Sequence, residues 1–158
     1  MDALAQTLGK RLKAAGAKLV TAESCTGGWA AQVVTSVAGS SAWFESGFVT
    51  YSNDAKRELL GVREETLEKH GAVSEETARE MAQGALSRGR ATVALAVTGV
   101  TGPGGGSPTK PVGMVCFAWA SARSVRSETQ QFSGDRESVR RQSVIRALEG
   151  VLQHLDGG

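Results

Sequence analysis

The stretch Lys18–Trp29, KLVTAESCTGGW, decides the fold of this chain. Residues 17–22 form an apolar run of strand length, and the apolar pattern after the two glycines predicts a helix over residues 26–38. This order of segments along the chain predicts a buried strand, followed by a turn at Ser24 and Cys25 and then by a helix. Ligands of open α/β sheets bind at the carboxyl ends of strands, and this turn occupies that position.

Outside this stretch, hydrophobic patterning predicts helices and strands that interleave along the whole chain. The run TVALAVTG at residues 92–99 is apolar without interruption, which is typical of a strand covered on both faces. We therefore expect one α/β domain over residues 1–158, a layered α/β/α arrangement with a mixed sheet. The other predicted helices lie at 2–15, between Ser52 and Gly61, at 63–70, from Ser74 onward and at 135–155; the other predicted strands lie at 47–52, 112–120 and 125–132.

Composition and charge exclude several classes of protein. The 158 residues carry a net charge of +2, and their basic residues are interspersed with acidic ones, which argues against a nucleic-acid or membrane partner. The 2 cysteines, Cys25 and Cys116, are far apart and form no zinc-binding motif, so we expect no metal site and a reducing compartment. The first sixteen residues lack the apolar core of a secretion signal, which favours the cytoplasm.

The turn after the first strand carries candidate nucleophiles. A hydroxyl at Ser24 could attack a carbonyl while neighbouring backbone N–H groups bind the resulting oxyanion. The glycines Gly27 and Gly28 leave room for a substrate beside the backbone. Two alternatives stay open: Ser24 or Thr26 is only a helix cap, or the thiol of Cys25 is the nucleophile.

A serine nucleophile requires a base, and a histidine base is disfavoured in this sequence. Its 2 histidines, His70 and His154, fall at predicted helix ends. The segment VTYSNDAK at residues 49–56 instead places Tyr51 and Lys56 at one strand-to-helix junction, where a buried lysine can be neutral enough to accept a proton. The alternative is an exposed lysine beside a half-buried tyrosine.

Four motifs resemble those of the CinA C-terminal domain family, in order and across essentially the whole chain. The resemblance implies hydrolysis of the carboxamide of nicotinamide mononucleotide by a Ser-Tyr-Lys group, with no metal and no cofactor. Carried over by motif, the catalytic residues are Ser24, Tyr51 and Lys56. The motifs are TAESCTGG (21–28), GFVTYSNDAK (47–56), AVTGVTGPGGG (96–106) and KPVGMVCFA (110–118).

The resemblance also assigns substrate contacts. The turn residues Cys25, Thr26, Gly27 and Gly28 are expected to bind substrate, together with Thr101 and Gly102 of the glycine-rich loop. That loop matches no Walker or dinucleotide motif, but it could form a nest for a phosphate; the alternative is a flexible turn. The arginines at the start of the last predicted helix either pair with neighbouring acidic residues or reach a phosphate. They are Arg136, Arg140 and Arg141.

Family resemblance further implies a homo-oligomer, a dimer or larger. Many members carry a larger N-terminal domain with pyrophosphatase activity, and its absence from these 158 residues favours a dedicated amidase. Other members are associated with competence and DNA damage. The alternative function is therefore a nucleotide-binding or regulatory module that retains the pocket without turnover.

Overall fold

The computed structural model describes residues 1–157, which form one layered α/β domain. A five-stranded sheet is flanked by helices, and a single 3₁₀ turn at Ser40–Ala42 precedes the second strand. The helices are α1 (Asp2–Ala14), α2 (Trp29–Thr35), α3 (Asn53–Leu60), α4 (Glu64–His70), α5 (Glu75–Arg88) and α6 (Arg136–Gly157). The strands are β1 (Leu19–Glu23), β2 (Phe44–Val49), β3 (Val93–Gly99), β4 (Met114–Ser121) and β5 (Val125–Gln131).

The sheet is mixed, with the strand order β2-β1-β3-β4-β5. β1 pairs in parallel with both β2 and β3, whereas β4 and β5 extend the sheet in antiparallel pairs. This arrangement confirms the predicted fold class. Because β1, β2 and β3 are parallel, the segments that follow them leave from the same edge of the sheet.

A separate hydrophobic core lies on each face of the sheet. On one face, α1, α2 and α6 pack against large side chains of the strands; on the other, α5 packs against strands that present mainly alanine. Alanine leaves little bulk between helix and sheet, which allows α5 to approach closely. The alanines of this second face are Ala22, Ala94, Ala96, Ala118 and Ala120.

The turn after β1 differs from its prediction. The helix expected over residues 26–38 spans only Trp29–Thr35. It begins late because Gly27 and Gly28 have φ values of 61° and 103° that a right-handed helix does not allow. β1 also extends to Glu23, beyond the expected end at residue 22. The residues between strand and helix therefore form a turn whose shape the glycines permit.

Membrane-spanning helices are not found within residues 1–157, since none of the helices there is both long and apolar enough.

A glycine in α5 allows that helix to lie against the end of α3. A Cβ at Gly84 would overlap the carbonyl oxygen of Leu60, the last residue of α3. Arg88, one turn further along α5, donates to the same carbonyl at 3.1 Å. This contact holds α3 against α5 and so sets the position of the residues that α3 carries.

We expect Gly84→Ala to lower the free energy of unfolding by about 1–3 kcal/mol, because overpacking outweighs the better helix propensity of alanine. Chemical denaturation monitored by circular dichroism measures the change. Gly104→Ala is the matched control, since a Cβ at that position meets no atom within 4 Å. Equal stability of the two variants would contradict the close approach.

Candidate active site

Strand pairing places Ser24 at the edge where the parallel strands end. Glu23, the last residue of β1, is in register with Val49 of β2 and Val97 of β3. The Ser24 N–H donates to the Val97 carbonyl at 3.0 Å, and the Thr50 N–H donates to the Glu23 carbonyl at 2.8 Å. Ser24 and Thr50, the first residues after β1 and β2, therefore lie side by side, and both are buried.

Helix α3 brings a lysine to this serine. The helix begins at Asn53 because the Ser52 hydroxyl accepts from the Ala55 N–H at 3.0 Å, and this cap places Lys56 in the first turn and a half. Lys56 is 1% exposed, and its Nζ lies 3.0 Å from Ser24 Oγ. Ser24 and Lys56, predicted from different motifs, are in direct contact, and Lys56 is not the exposed lysine of the alternative.

The surroundings of the Lys56 nitrogen suit a neutral amine. Its Nζ lies 2.9 Å from the Thr50 carbonyl oxygen and 3.2 Å from the Tyr51 carbonyl oxygen, in addition to Ser24 Oγ. An ammonium would donate to all three groups, whereas a neutral amine donates to both carbonyls with its two N–H groups and keeps its lone pair for the Ser24 hydroxyl proton. Burial lowers the pKa of Lys56 below its ordinary value of 10.5, because desolvation penalises the ammonium form. The pair can therefore transfer the hydroxyl proton to nitrogen.

Tyr51 meets this pair through its backbone, not through its phenol. The carbonyl accepts from Lys56, whereas the ring is 62% exposed and the hydroxyl accepts from Arg136 Nη2 at 3.3 Å. Arg136 also donates from Nη1 to the Gly102 carbonyl at 2.8 Å. The side chain of Arg136 thus joins the tyrosine to the glycine-rich loop, a link for which spacing along the chain gave no signal.

Cys25 is an unfavourable nucleophile despite its position beside Ser24. Its side chain is buried, and burial raises the pKa of the thiol to about 12. Little thiolate is present near neutral pH at such a value, which favours serine over the alternative chemistry.

The backbone of the turn is bound from both sides. Arg140 of α6 donates from Nε to the Cys25 carbonyl and from Nη2 to the Thr26 carbonyl, both at 3.1 Å. The N–H groups of Ala30 and Ala31 at the start of α2 are not free to bind an oxyanion, because both donate to the Glu23 carboxylate. Sequence reasoning missed Glu23, although a glutamate at the end of a buried strand is unusual enough to have signalled it.

The glycine-rich loop lies at the same edge of the sheet. Thr101 is buried, and Gly102 has a φ of 81° with its Cα so close to Val112 that a Cβ would lie 2.6 Å from Val112 Cγ1. Through Arg136, Gly102 is tied to the β2–α3 junction. The loop that the sequence predicts to contact substrate is therefore linked to Tyr51, whose carbonyl oxygen lies 3.2 Å from Lys56 Nζ.

Both histidines are engaged elsewhere. His70 Nδ1 lies 3.5 Å from Glu76, and His154 Nε2 lies 3.1 Å from Ser121 Oγ at the opposite edge of the sheet. Across residues 1–157, no three His, Cys, Asp or Glu side chains are grouped to hold a metal ion.

Comparison with known proteins identifies relatives over nearly the whole chain. The model of the CinA C-terminal domain matches residues 1–155. The nicotinamide-nucleotide amidohydrolase PncC of Escherichia coli strain K12 is 57% identical over 151 residues, covering 95% of this chain and 92% of that protein. The protein of the same name from Pseudomonas putida is 55% identical over 150 residues, covering 95% and 94%.

Solved structures agree with the fold. The crystal structure of the competence/damage inducible protein CihA from Agrobacterium tumefaciens superposes with a TM-score of 0.94 at 47% identity, over 98% of this chain and 94% of that one.

Proposed function

The chain belongs to the CinA C-terminal domain family, and from that membership we propose that it hydrolyses the carboxamide of nicotinamide mononucleotide. The products are nicotinate mononucleotide and ammonia, and the enzyme is an amidohydrolase. The observation that carries the mechanism is the distance of 3.0 Å between Lys56 Nζ and Ser24 Oγ, at the edge of the sheet where the parallel strands β1, β2 and β3 end together.

The first step is attack of Ser24 Oγ on the amide carbon. The Ser24 proton passes to the lone pair of Lys56, which becomes an ammonium as the new C–O bond forms and the carbonyl oxygen gains negative charge. The carbonyl groups of Thr50 and Tyr51 hold the Lys56 nitrogen at its two N–H groups throughout. Lys56 thus acts directly on Ser24, and Tyr51 contributes its carbonyl oxygen.

Backbone N–H groups of the turn are the proposed oxyanion donors. The carbonyls of Ser24, Cys25 and Thr26 accept from Gly27, Arg140 and Trp29, and these bonds fix the direction of each peptide group. Within residues 1–157, no backbone carbonyl accepts from the N–H of Cys25. This group directly follows the nucleophile, the position from which a backbone N–H can reach the developing oxyanion.

Collapse of the tetrahedral intermediate breaks the C–N bond. The Lys56 ammonium returns its proton to the departing nitrogen, which leaves as ammonia, and an ester to Ser24 remains. A water molecule then attacks this ester while Lys56 accepts its proton, and Ser24 leaves with that proton. The balance is one amide and one water converted into one acid and one ammonia.

The remaining site residues belong to the same proposal. Gly27 and Gly28 leave the turn open to the substrate, and Thr101 and Gly102 contact the nucleotide from the glycine-rich loop. The support is their placement around one edge of the sheet, with Gly102 joined to the β2–α3 junction through Arg136.

Removing either member of the pair should abolish turnover while leaving the fold intact. We expect Ser24→Ala and Lys56→Met each to lower kcat for ammonia release from nicotinamide mononucleotide by roughly 10³-fold or more. A coupled assay for ammonia measures the rate, and circular dichroism checks the fold.

Matched controls are Ser124→Ala and Lys10→Met, which remove the same functional groups at exposed positions. Near-normal turnover in Ser24→Ala or Lys56→Met would exclude that residue from its role. Tight binding of the nucleotide by the wild-type protein without ammonia release would favour the alternative regulatory module.

The pH dependence of kcat/KM should follow the deprotonation of Lys56. The reaction needs the neutral amine, whose fraction rises with pH, and burial lowers the Lys56 pKa below 10.5. We therefore expect kcat/KM to rise with pH and to level off below pH 10.5, because the folded protein loses this proton more easily than a free lysine does. Rates between pH 5 and about 10 measure the profile.

Lys56→Arg provides the control for this profile, since a guanidinium stays protonated across the range. Its residual rate should lack the rising limb. Persistence of that limb in the variant would assign it to another group.

We also propose that residues 1–158 are one catalytic domain that acts in the cytoplasm as a homo-oligomer. Two free buried cysteines fit a reducing compartment. Three large apolar side chains within residues 49–59 are about half exposed and offer a surface for a second copy: Val49 (49%), Tyr51 (62%) and Leu59 (47%).

Light scattering coupled to size exclusion tests the assembly. A wild-type mass at a multiple of 16.4 kDa, reduced toward 16.4 kDa in Leu59→Glu, is the expected outcome, because a buried carboxylate opposes association. Glu58→Gln is the control on the neighbouring position. A wild-type mass of one chain at micromolar concentration would contradict the proposal.

A further inference from the structure

A fully buried carboxylate lies directly behind the nucleophile. Glu23 is the last residue of β1, and its side chain is 0% exposed. Oε1 accepts from the Thr26 hydroxyl at 2.6 Å and from the Ala30 N–H at 2.8 Å, while Oε2 accepts from the Ala31 N–H at 3.1 Å. Burial of a carboxylate is costly unless it is hydrogen-bonded, and here both oxygens have donors.

These bonds replace a cap that α2 lacks. The N-cap position of α2 is Gly28, which has no side chain to accept from the first N–H groups of the helix. Instead, the side chain of Glu23 accepts from the N–H groups of Ala30 and Ala31, although Glu23 lies five residues before the cap position in the chain. Its bond to Thr26 ties the middle of the same turn to β1, so a single carboxylate holds both ends of the segment that follows Ser24.

Arg140 holds the turn from the opposite side. Its guanidinium donates to the carbonyls of Cys25 and Thr26, while the Thr26 hydroxyl donates to Glu23. The peptide groups next to Ser24 are therefore fixed between a carboxylate on the sheet side and a guanidinium from α6. Reaction geometry at a nucleophile is sensitive to shifts of about 1 Å, and such a clamp prevents them.

Glutamate suits this position better than its amide. All three groups that face the side chain are donors, and a carboxylate offers only acceptor sites. The NH₂ of a glutamine would face a donor at one of these contacts and leave a buried N–H without a partner.

We propose that Glu23 is a positioning residue for catalysis: through Thr26 and the start of α2, it fixes the turn that presents Ser24 Oγ to Lys56. Glu23 does not touch the substrate and takes no proton. The inference rests on the proposed function, since it assumes Ser24 as nucleophile. It differs from a purely structural role, in which Glu23 would only stabilise α2.

Substitution of Thr26 tests the proposal with little risk to the fold. Thr26→Val keeps the shape and removes the donor to Glu23, so kcat should fall roughly 10- to 100-fold with KM changed less than about threefold. Thr26→Ser restores the hydroxyl and should recover most of the rate. Thr35→Val is the matched control, because Thr35 is an exposed threonine at the end of α2 whose hydroxyl bonds only to carbonyls of that helix.

A second measurement reads the nucleophile without the substrate. A fluorophosphonate probe labels an activated serine, and mass spectrometry gives the rate of labelling at Ser24. We expect slow labelling in Thr26→Val and in Glu23→Gln, and rates near wild type in Thr26→Ser and Thr35→Val, with thermal midpoints that do not follow this order. Ser24 labelling without ammonia release in the wild type would overturn the deamidase proposal, while the variant comparison would still decide the role of Glu23.

Three results would overturn the positioning role. The first is an unchanged kcat and labelling rate in Thr26→Val, and the second is a Thr26→Ser variant as slow as Thr26→Val. The third is a loss of rate that follows the loss of thermal stability across all variants, which would assign Glu23 to the fold alone.

Discussion

The site depends on a lysine nitrogen held out of water beside a serine. Desolvation penalises the ammonium form of Lys56. The three groups around Nζ are two carbonyls and a hydroxyl, and none of them is a carboxylate whose negative charge would offset that penalty. A carboxylate partner would have favoured the protonated form and removed the base. Lys56 can therefore serve as a base because uncharged backbone carbonyls, and not a carboxylate, surround its nitrogen.

That placement follows from strand pairing. β1 lies between two parallel neighbours, and its register with β2 puts Thr50 beside Ser24 at the point where both strands end. The cap at Ser52 then starts α3 at once, so the chain has only a short path between the carbonyls that hold Nζ and the lysine that carries it. The contact of Gly84 with Leu60 stabilises this arrangement at the C-terminal end of α3.

Two buried ionisable groups, Lys56 and Glu23, lie beside Ser24, the proposed nucleophile, and differ in their hydrogen bonds. Lys56 is placed to exchange a proton with Ser24, whereas the oxygens of Glu23 are fully occupied by donors of the protein. A group with satisfied hydrogen bonds is suited to fixing geometry, and a group with a lowered pKa is suited to chemistry. Glu23 on β1 and Lys56 on α3 thus meet at one edge of the sheet, which suits that edge to both proposed tasks.

Local patterns in the sequence located all five strands, the helices between them and the mixed layered sheet, because apolar runs and helical spacing depend on neighbours in the chain. The second strand was placed too late, since β2 spans Phe44–Val49 and not residues 47–52. The sequence motifs likewise indicate Ser24 and Lys56 as candidate catalytic residues without showing that the two are in contact. Only the tertiary structure decided that α2 begins at Trp29 and that Tyr51 meets Lys56 through its carbonyl. It also decided that the turn is held by Glu23 and by Arg140, 114 residues beyond Thr26. Such contacts depend on where α6 and the carboxylate lie in space, and no local periodicity encodes that.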